Sequence, residues 1–256
     1  MMKYLIGAKT DIGIKRKTNQ DALSVKIARC SNEEVAFAVL CDGMGGLECG
    51  EIASTTVINR MSEWFLKEYP EIIDKNNSWY LVRDNWDRLL KELNRKLVMY
   101  GENGNEKMGT TCVAVLIKNE EYLIANVGDS RAYLINNNIQ QLTHDQSLIA
   151  REIAAGRMTA EAAKTDSRKN VLLQCIGANN SISPEYVKGK LQNSDIILLC
   201  SDGFVHEITD EEIARHLQNT ALISKEKIND RLQDLINLNK ERNEKDNISA
   251  LAIKLI

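Results

Sequence analysis

The sequence predicts an α+β fold in a single domain spanning residues 1–256. Apolar runs of strand length, rich in Val, Ile and Leu, group at the start, middle and end of the chain. Two blocks whose apolar residues step by threes and fours lie between those groups. No Pro-, Gly- or Ser-rich linker and no repeat of fixed period divides the chain. A chain of 256 residues that is 43% hydrophobic, with only two prolines, buries roughly 70–75% of its extended surface. A core of that size needs no staple.

The first strands are expected at Tyr4–Ala8, Ala22–Ala28 and Val35–Cys41. Val35–Cys41 is apolar throughout, as a strand covered on both faces should be. Ile52, Val57, Ile58, Met61 and Phe65 recur at helical spacing, and Trp79, Val82, Trp86, Leu89, Leu90, Leu93, Leu97 and Tyr100 do so again. Ser78 is placed to cap this second helix, and Gly101 through Asn105 to stop it. The spacing of both tryptophans marks them as core rather than as a ligand box. Strands follow at Thr111–Ile117, Tyr122–Val127, Ala132–Ile135 and Ile139–Leu142, the last two joined by an Asn136-Asn137-Asn138 turn. Residues 143–181 are polar, with short helical stretches at Ile149–Ala155 and Ala160–Lys164, Gly156 between them and Arg168-Lys169 beyond. They read as a mobile excursion from the sheet. Strands Glu185–Leu191 and Asp195–Cys200 lead to a helix opened by a Thr209/Glu212 capping box and running to Gln218. A helix over Lys225–Asn239 and a closing strand Ile248–Ile256 complete the chain.

Composition excludes several classes. Thirty-three basic against 36 acidic residues, a net charge of −3, argues against a nucleic-acid or anionic-membrane binder. The apolar runs fall far short of the ~18 residues of a membrane-spanning helix. Met1-Met2-Lys3-Tyr4 leads into a strand-like run, so no secretory signal is expected. Six cysteines lie scattered without a CxxC pair, four of them (Cys41, Cys112, Cys175, Cys200) inside apolar runs, and three histidines show no ligand spacing. A reducing, cytoplasmic compartment is expected.

The aspartates carry the chemistry. Val35–Cys41 ends in Asp42-Gly43, Leu123–Val127 in Gly128-Asp129, and Ile196–Cys200 in Ser201-Asp202-Gly203. Asp246-Asn247 precedes the closing strand, and Asp21 lies between the first two strands. Turn chemistry explains any one Asp-Gly. It does not explain five carboxylates beside the most buried strands, where an unpaired charge is costly. If these ends converge, divalent cations would neutralise them. Oxygen-only ligation selects hard ions, Mg²⁺ or Mn²⁺. Such a pair suits in-line phosphoryl displacement by a metal-bound hydroxide, with Arg16 as the fork-shaped donor to phosphate oxygens.

Six stretches then resemble one family: Arg16–Asp21; Asp42-Gly43-Met44-Gly45-Gly46 followed by Gly50-Glu51-Ile52-Ala53-Ser54; Gly109-Thr110-Thr111; Gly128-Asp129-Ser130-Arg131; Ser201-Asp202-Gly203; and Asp246-Asn247. In this order they resemble the metal-dependent serine/threonine protein phosphatases of the 2C type, in their compact bacterial form. The resemblance implies a two-sheet β-sandwich flanked by antiparallel helix pairs, a four-layer αββα arrangement, with a flap subdomain at about 143–181. It implies Asp42 as the carboxylate bridging two tightly bound Mn²⁺ or Mg²⁺ ions, the Gly43 carbonyl as ligand of one, and Asp202 and Asp246 as ligands of the other. Asp21 corresponds to the acid holding metal-bound waters, Asp129 to a ligand of a weaker third ion, and Arg16 to the phosphate-binding arginine. The implied activity is hydrolysis of phosphoserine and phosphothreonine in proteins, opposing a bacterial Ser/Thr kinase, by a monomer with no nucleic-acid or membrane partner.

Three positions depart from the pattern. Met44 stands where many relatives carry a histidine proposed as general acid, so leaving-group protonation is expected to fall to a metal-bound water. Gln20 replaces a glutamate of some relatives and lowers the charge of the site. Leu47-Glu48-Cys49 is unusual after the glycines, and Cys49 reads as a packed thiol. His206, four residues after Asp202, could approach the site, with a surface or capping role at least as well supported; Arg168-Lys169 could contact an acidic or phosphorylated substrate, and a solvated flap segment is the simpler reading. A catalytically silent phosphoprotein-binding module of the same fold is the alternative, and the intact Asp42, Asp202 and Asp246 give it no support. A metal-dependent nuclease is disfavoured by the acidic balance.

Overall fold

The computed structural model describes residues 3–30, 33–45, 49–104, 107–218 and 222–256. One sheet runs in the order β1 (Tyr4–Asp11), β11 (Ile248–Leu255), β10 (Ile196–Cys200), β7 (Arg131–Ile135) and β8 (Ile139–Gln141). The other runs β2 (Asp21–Cys30), β3 (Glu33–Gly45), β5 (Cys112–Lys118), β6 (Glu121–Val127) and β9 (Glu185–Lys190), with β4 (Met108–Thr110) added to the end of β3. All the pairings are antiparallel. Helices α1 (Cys49–Lys67) and α2 (Ser78–Gly104) cover the second sheet, and α5 (Asp210–Leu217) and α6 (Lys225–Glu241) the first. Between β8 and β9 lie two short helices, α3 (Leu148–Ala154) and α4 (Ala160–Thr165).

Alternation along the strands produces three apolar layers. Val35, Phe37, Val39 and Cys41 point toward α1 and α2, while Ala36, Ala38 and Leu40 point into the seam between the sheets. In β10, Leu198 and Cys200 meet α5 and α6, and Ile197 and Leu199 enter the seam. Both runs are therefore covered on both faces, which is why they read as unbroken apolar sequence. Phe37, Trp64, Phe65, Tyr69 and Trp86 form one aromatic cluster under α1 and α2, with Phe37 stacked on Phe65 at 5.1 Å between centroids. Trp86 is fully buried; Trp79 is partly buried, and its Nε1–H donates to Glu121 at 2.7 Å.

Several boundaries differ from expectation. Asp42-Gly43 is not a turn: β3 runs on to Gly45 because β4 supplies partners for Gly43, Met44 and Gly45. The expected strand Thr111–Ile117 is split, with Thr111 lying between β4 and β5. Helix α2 begins at Ser78 itself and continues through Gly101 to Gly104. Ile52 and Tyr100 are exposed, since the buried stripe of α1 runs through Ala53, Val57, Met61 and Trp64 and that of α2 ends at Leu97 and Gly101. The Thr209/Glu212 capping box is present, with both reciprocal hydrogen bonds. Cys41, Cys49, Cys112, Cys175 and Cys200 are buried free thiols. Gly46, Leu47, Glu48 and Asn105 lie outside the described residues. Among the described residues no helix is long and apolar enough to cross a membrane.

Candidate metal centre

Antiparallel pairing brings the start of β2, the far end of β3, and the ends of β6 and β10 with the start of β11 to one end of the sandwich. Asp21 sits directly opposite Asp42 across β2 and β3. Asp202 opens a 3-10 turn after β10, Asp129 follows β6, and Asp246 lies two residues before β11. The two sheets are tied together here. The Ser201 hydroxyl donates to Asp21 Oδ2 at 2.9 Å, and the Gln20 N–H donates to Asn247 Oδ1 at 2.9 Å. Asn247 Nδ2 donates to the Ile12 and Thr18 carbonyls, which fixes the loop that carries Arg16.

The backbone of Asp42 is pinned by the Gly109-Thr110-Thr111 stretch. Its N–H donates to Thr111 Oγ1 at 2.9 Å, and its carbonyl accepts from Thr111 N–H and Thr110 Oγ1, each at 2.9 Å. Its carboxylate faces Asp21, Asp202 and Asp129, and burial together with those like charges pushes its pKa up. Burial, then Asp202 and Asp246, lift Asp21 to about 7 against its hydrogen bonds to Ser249 and Ser201. Burial, then Asp202 and Asp145, lift Asp129 to about 8. Asp246 is drawn to one side: its Oδ2 accepts from Arg16 at 2.6 Å and its Oδ1 from the Asn247 N–H at 2.8 Å. Among the described residues no three His, Cys, Asp or Glu side chains are gathered closely enough to hold an ion unaided.

The donor set still fits divalent cations. Asp21 Oδ1 and Asp202 Oδ1 are buried with no hydrogen-bond partner, a costly state for an anionic oxygen that a cation would relieve. Every candidate donor is oxygen, as Mg²⁺ and Mn²⁺ prefer. Gly43 is held by its N–H to the Gln20 carbonyl at 3.2 Å.

His206 is exposed at the surface, and its ring also reaches the site. Its Nε2 lies 3.3 Å from Asp202 Oδ2 and its Nδ1 3.2 Å from Glu244 Oε2. Burial alone would lower its pKa, but Glu244 and Asp202 raise it to about 9. Glu244 was not legible as a site residue, and Thr110, Thr111 and Ser201 were so only as members of recognisable stretches. Met44 Sδ accepts from the buried Cys175 thiol at 3.4 Å, and the Gln20 amide packs against Gly50 at the start of α1.

A family profile described as protein phosphatase 2C matches residues 14–248. The chain belongs to the protein phosphatase 2C family. The serine/threonine phosphatase stp of Listeria innocua is 31% identical over 221 residues, 84% of each chain. Among solved structures, the serine/threonine phosphatase of S. agalactiae superposes with a TM-score of 0.85 at 31% identity, covering 99% of both chains. The serine/threonine phosphatase Stp1 from Staphylococcus aureus gives 0.84 at 32% identity, over 97% of this chain and 94% of that one. The α+β architecture of two antiparallel sheets with flanking helices is thus that of the protein phosphatase 2C fold.

The carboxylate cluster gives this family member a definite pH response when metal-free. Carboxyls near 4 in the unfolded chain are raised in the folded one, to about 7 and 8 for Asp21 and Asp129. Their contribution to stability is complete below the unfolded value and is lost as pH rises through the folded values. His206, raised to about 9, acts with the same sign. The urea midpoint of chelated protein should fall between pH 5.5 and pH 8.5, and saturating Mn²⁺ should flatten that fall. A midpoint that rises over this window would contradict the placement of these carboxylates.

Proposed function

We propose that the chain hydrolyses phosphoserine and phosphothreonine in proteins at a two-cation centre of Mn²⁺ or Mg²⁺ built on Asp42. The supporting observation is the convergence of Asp21, Asp42, Asp129 and Asp202, with two buried carboxylate oxygens left unpartnered. Asp42 would contact both cations, the Gly43 carbonyl one of them, and Asp202 and Asp246 the other. Asp21 would hold coordinated waters, and Asp129 a third, weaker ion. When bound, such ions neutralise the carboxylates, polarise the phosphoryl oxygens and lower the pKa of a coordinated water.

The protein's own part is positioning. Thr110 and Thr111 fix the Asp42 backbone, and Ser201 orients Asp21. Arg16, half-exposed at the rim and now paired with Asp246, is the donor that would orient phosphate oxygens. Met44 has no proton to give, and we read water as the source of the proton for the serine or threonine leaving group. We read residues 143–181, with α3 and α4, as a flap subdomain of one catalytic domain. The substrates would be phosphoproteins made by a Ser/Thr kinase, and the enzyme a cytoplasmic monomer.

Chelation tests the reading. A phosphothreonine peptide should be dephosphorylated with Mn²⁺, left intact in excess chelator, and dephosphorylated again when Mn²⁺ is restored. Full activity in excess chelator would refute it. Arg16→Lys should raise KM for the peptide about tenfold, because lysine keeps the charge but loses the planar fork. Unchanged kinetics would leave Arg16 as a partner of Asp246 alone.

A further inference from the structure

Two of the proposed ligands are joined by side chains that lie outside the family stretches. The His206 ring sits between two carboxylates, with Nε2 at 3.3 Å from Asp202 Oδ2 and Nδ1 at 3.2 Å from Glu244 Oε2. Glu244 is only 5% exposed. Its other oxygen, Oε1, accepts the N–H groups of Lys245 at 2.6 Å and of Asp246 at 2.7 Å. One chain of contacts therefore runs from the Asp202 carboxylate through His206 and Glu244 to the backbone that presents Asp246. The turn bearing Asp202 is held from the same side by Asn239, whose Nδ2 donates to the Phe204 carbonyl at 2.9 Å.

A buried glutamate beside a cluster of aspartates is an expensive way to cap a loop. A neutral Asn or Ser could accept a backbone N–H there without adding negative charge. What the charge adds is a hold on His206. The ring in turn occupies Oδ2 of Asp202, while Oδ1 of the same carboxylate stays buried and unpartnered. This fixes the carboxylate in one orientation with one oxygen reserved. Outer partners of this kind set the orientation and affinity of ligands they do not replace.

We propose that His206 and Glu244 are positioning residues that fix Asp202 and Asp246 relative to one another and thereby set the affinity of the divalent-cation centre. The inference rests on the two-cation reading above. The test uses the full chain and Mn²⁺ alone, following the free Mn²⁺ EPR signal during titration and the unfolding midpoint of each metal-free protein. His206→Ala and Glu244→Ala should weaken Mn²⁺ binding by about ten- to a hundredfold. Glu244→Gln keeps an acceptor for both N–H groups and should recover part of that loss, remaining about threefold weaker than wild type. Binding within about twofold of wild type in all three variants would overturn the inference and leave the two-cation reading standing. If an alanine variant fails to fold, Glu244→Gln decides by the same criterion, because it conserves shape. Wild-type protein that binds no Mn²⁺ would overturn both.

Discussion

Asp42→Asn is expected to lower turnover of a phosphothreonine peptide roughly a thousandfold, equivalent to about 4 kcal/mol of transition-state stabilisation. An amide supplies a neutral acceptor where the proposed centre needs an anion shared by two cations. The same change should make the metal-free protein more stable. Asp42 is buried facing Asp21, Asp202 and Asp129, and an amide there removes the cost of holding an ionisable group in that place at neutral pH. Loss of activity with a raised metal-free melting temperature is a signature that general misfolding does not produce. Wild-type turnover in the variant would reject Asp42 as the central ligand. A lowered melting temperature would show that its carboxylate is stabilising in a way that burial does not explain.

Gly43→Ala should be strongly disruptive. A Cβ at Gly43 would lie 2.2 Å from the Gly50 carbonyl oxygen, 2.6 Å from its carbon and 2.7 Å from the Gln20 carbonyl oxygen. All three are backbone atoms, so no rotamer change relieves the contact. Strand β3 would have to part from the start of α1 or from the residue that precedes β2. Overpacking of this kind costs about 3 kcal/mol, or roughly 10 °C in melting temperature for a chain of this size. Calorimetry of the metal-free protein checks it. An unchanged midpoint would mean that the start of α1 moves aside freely.

Much of this architecture could be read in advance because it is written in local patterns. The unbroken apolar run Val35–Cys41 signalled a strand covered on both faces, and the threes and fours from Trp79 to Leu97 signalled a helix with a single buried stripe. Thr209 and Glu212 marked a helix start through contacts made within four residues. What escaped depends on partners distant in sequence. Asp42-Gly43 has the composition of a turn, and only β4, more than sixty residues on, makes it a strand. At the candidate site, positions at strand ends were enough to single out Asp21, Asp42, Asp129, Asp202 and Asp246, which the fold does gather at one end. Glu244 left no such signal, and His206 was marked only by its spacing from Asp202. The His206–Asp202 contact is made within four residues, whereas Glu244 reaches His206 from 38 residues further along the chain. The sequence offered Arg16 as a candidate phosphate donor and gave no sign of its pairing with Asp246.

The seam between the two sheets acquires a further meaning from where the carboxylates are rooted. Asp21, Asp42 and Asp129 belong to the sheet under α1 and α2, whereas Asp202 and Asp246 belong to the sheet under α5 and α6. A cation held by both groups spans two separately packed halves, so its binding energy is also a cohesive energy between them. In the proposed centre, the packing of Ile197, Leu199 and Leu251, deep in the seam, would then bear on the spacing of the ligands at its end. Anything that widens their packing stretches the jaws of a clamp whose tips are the aspartates, and any ion that closes the tips stiffens the sandwich behind them.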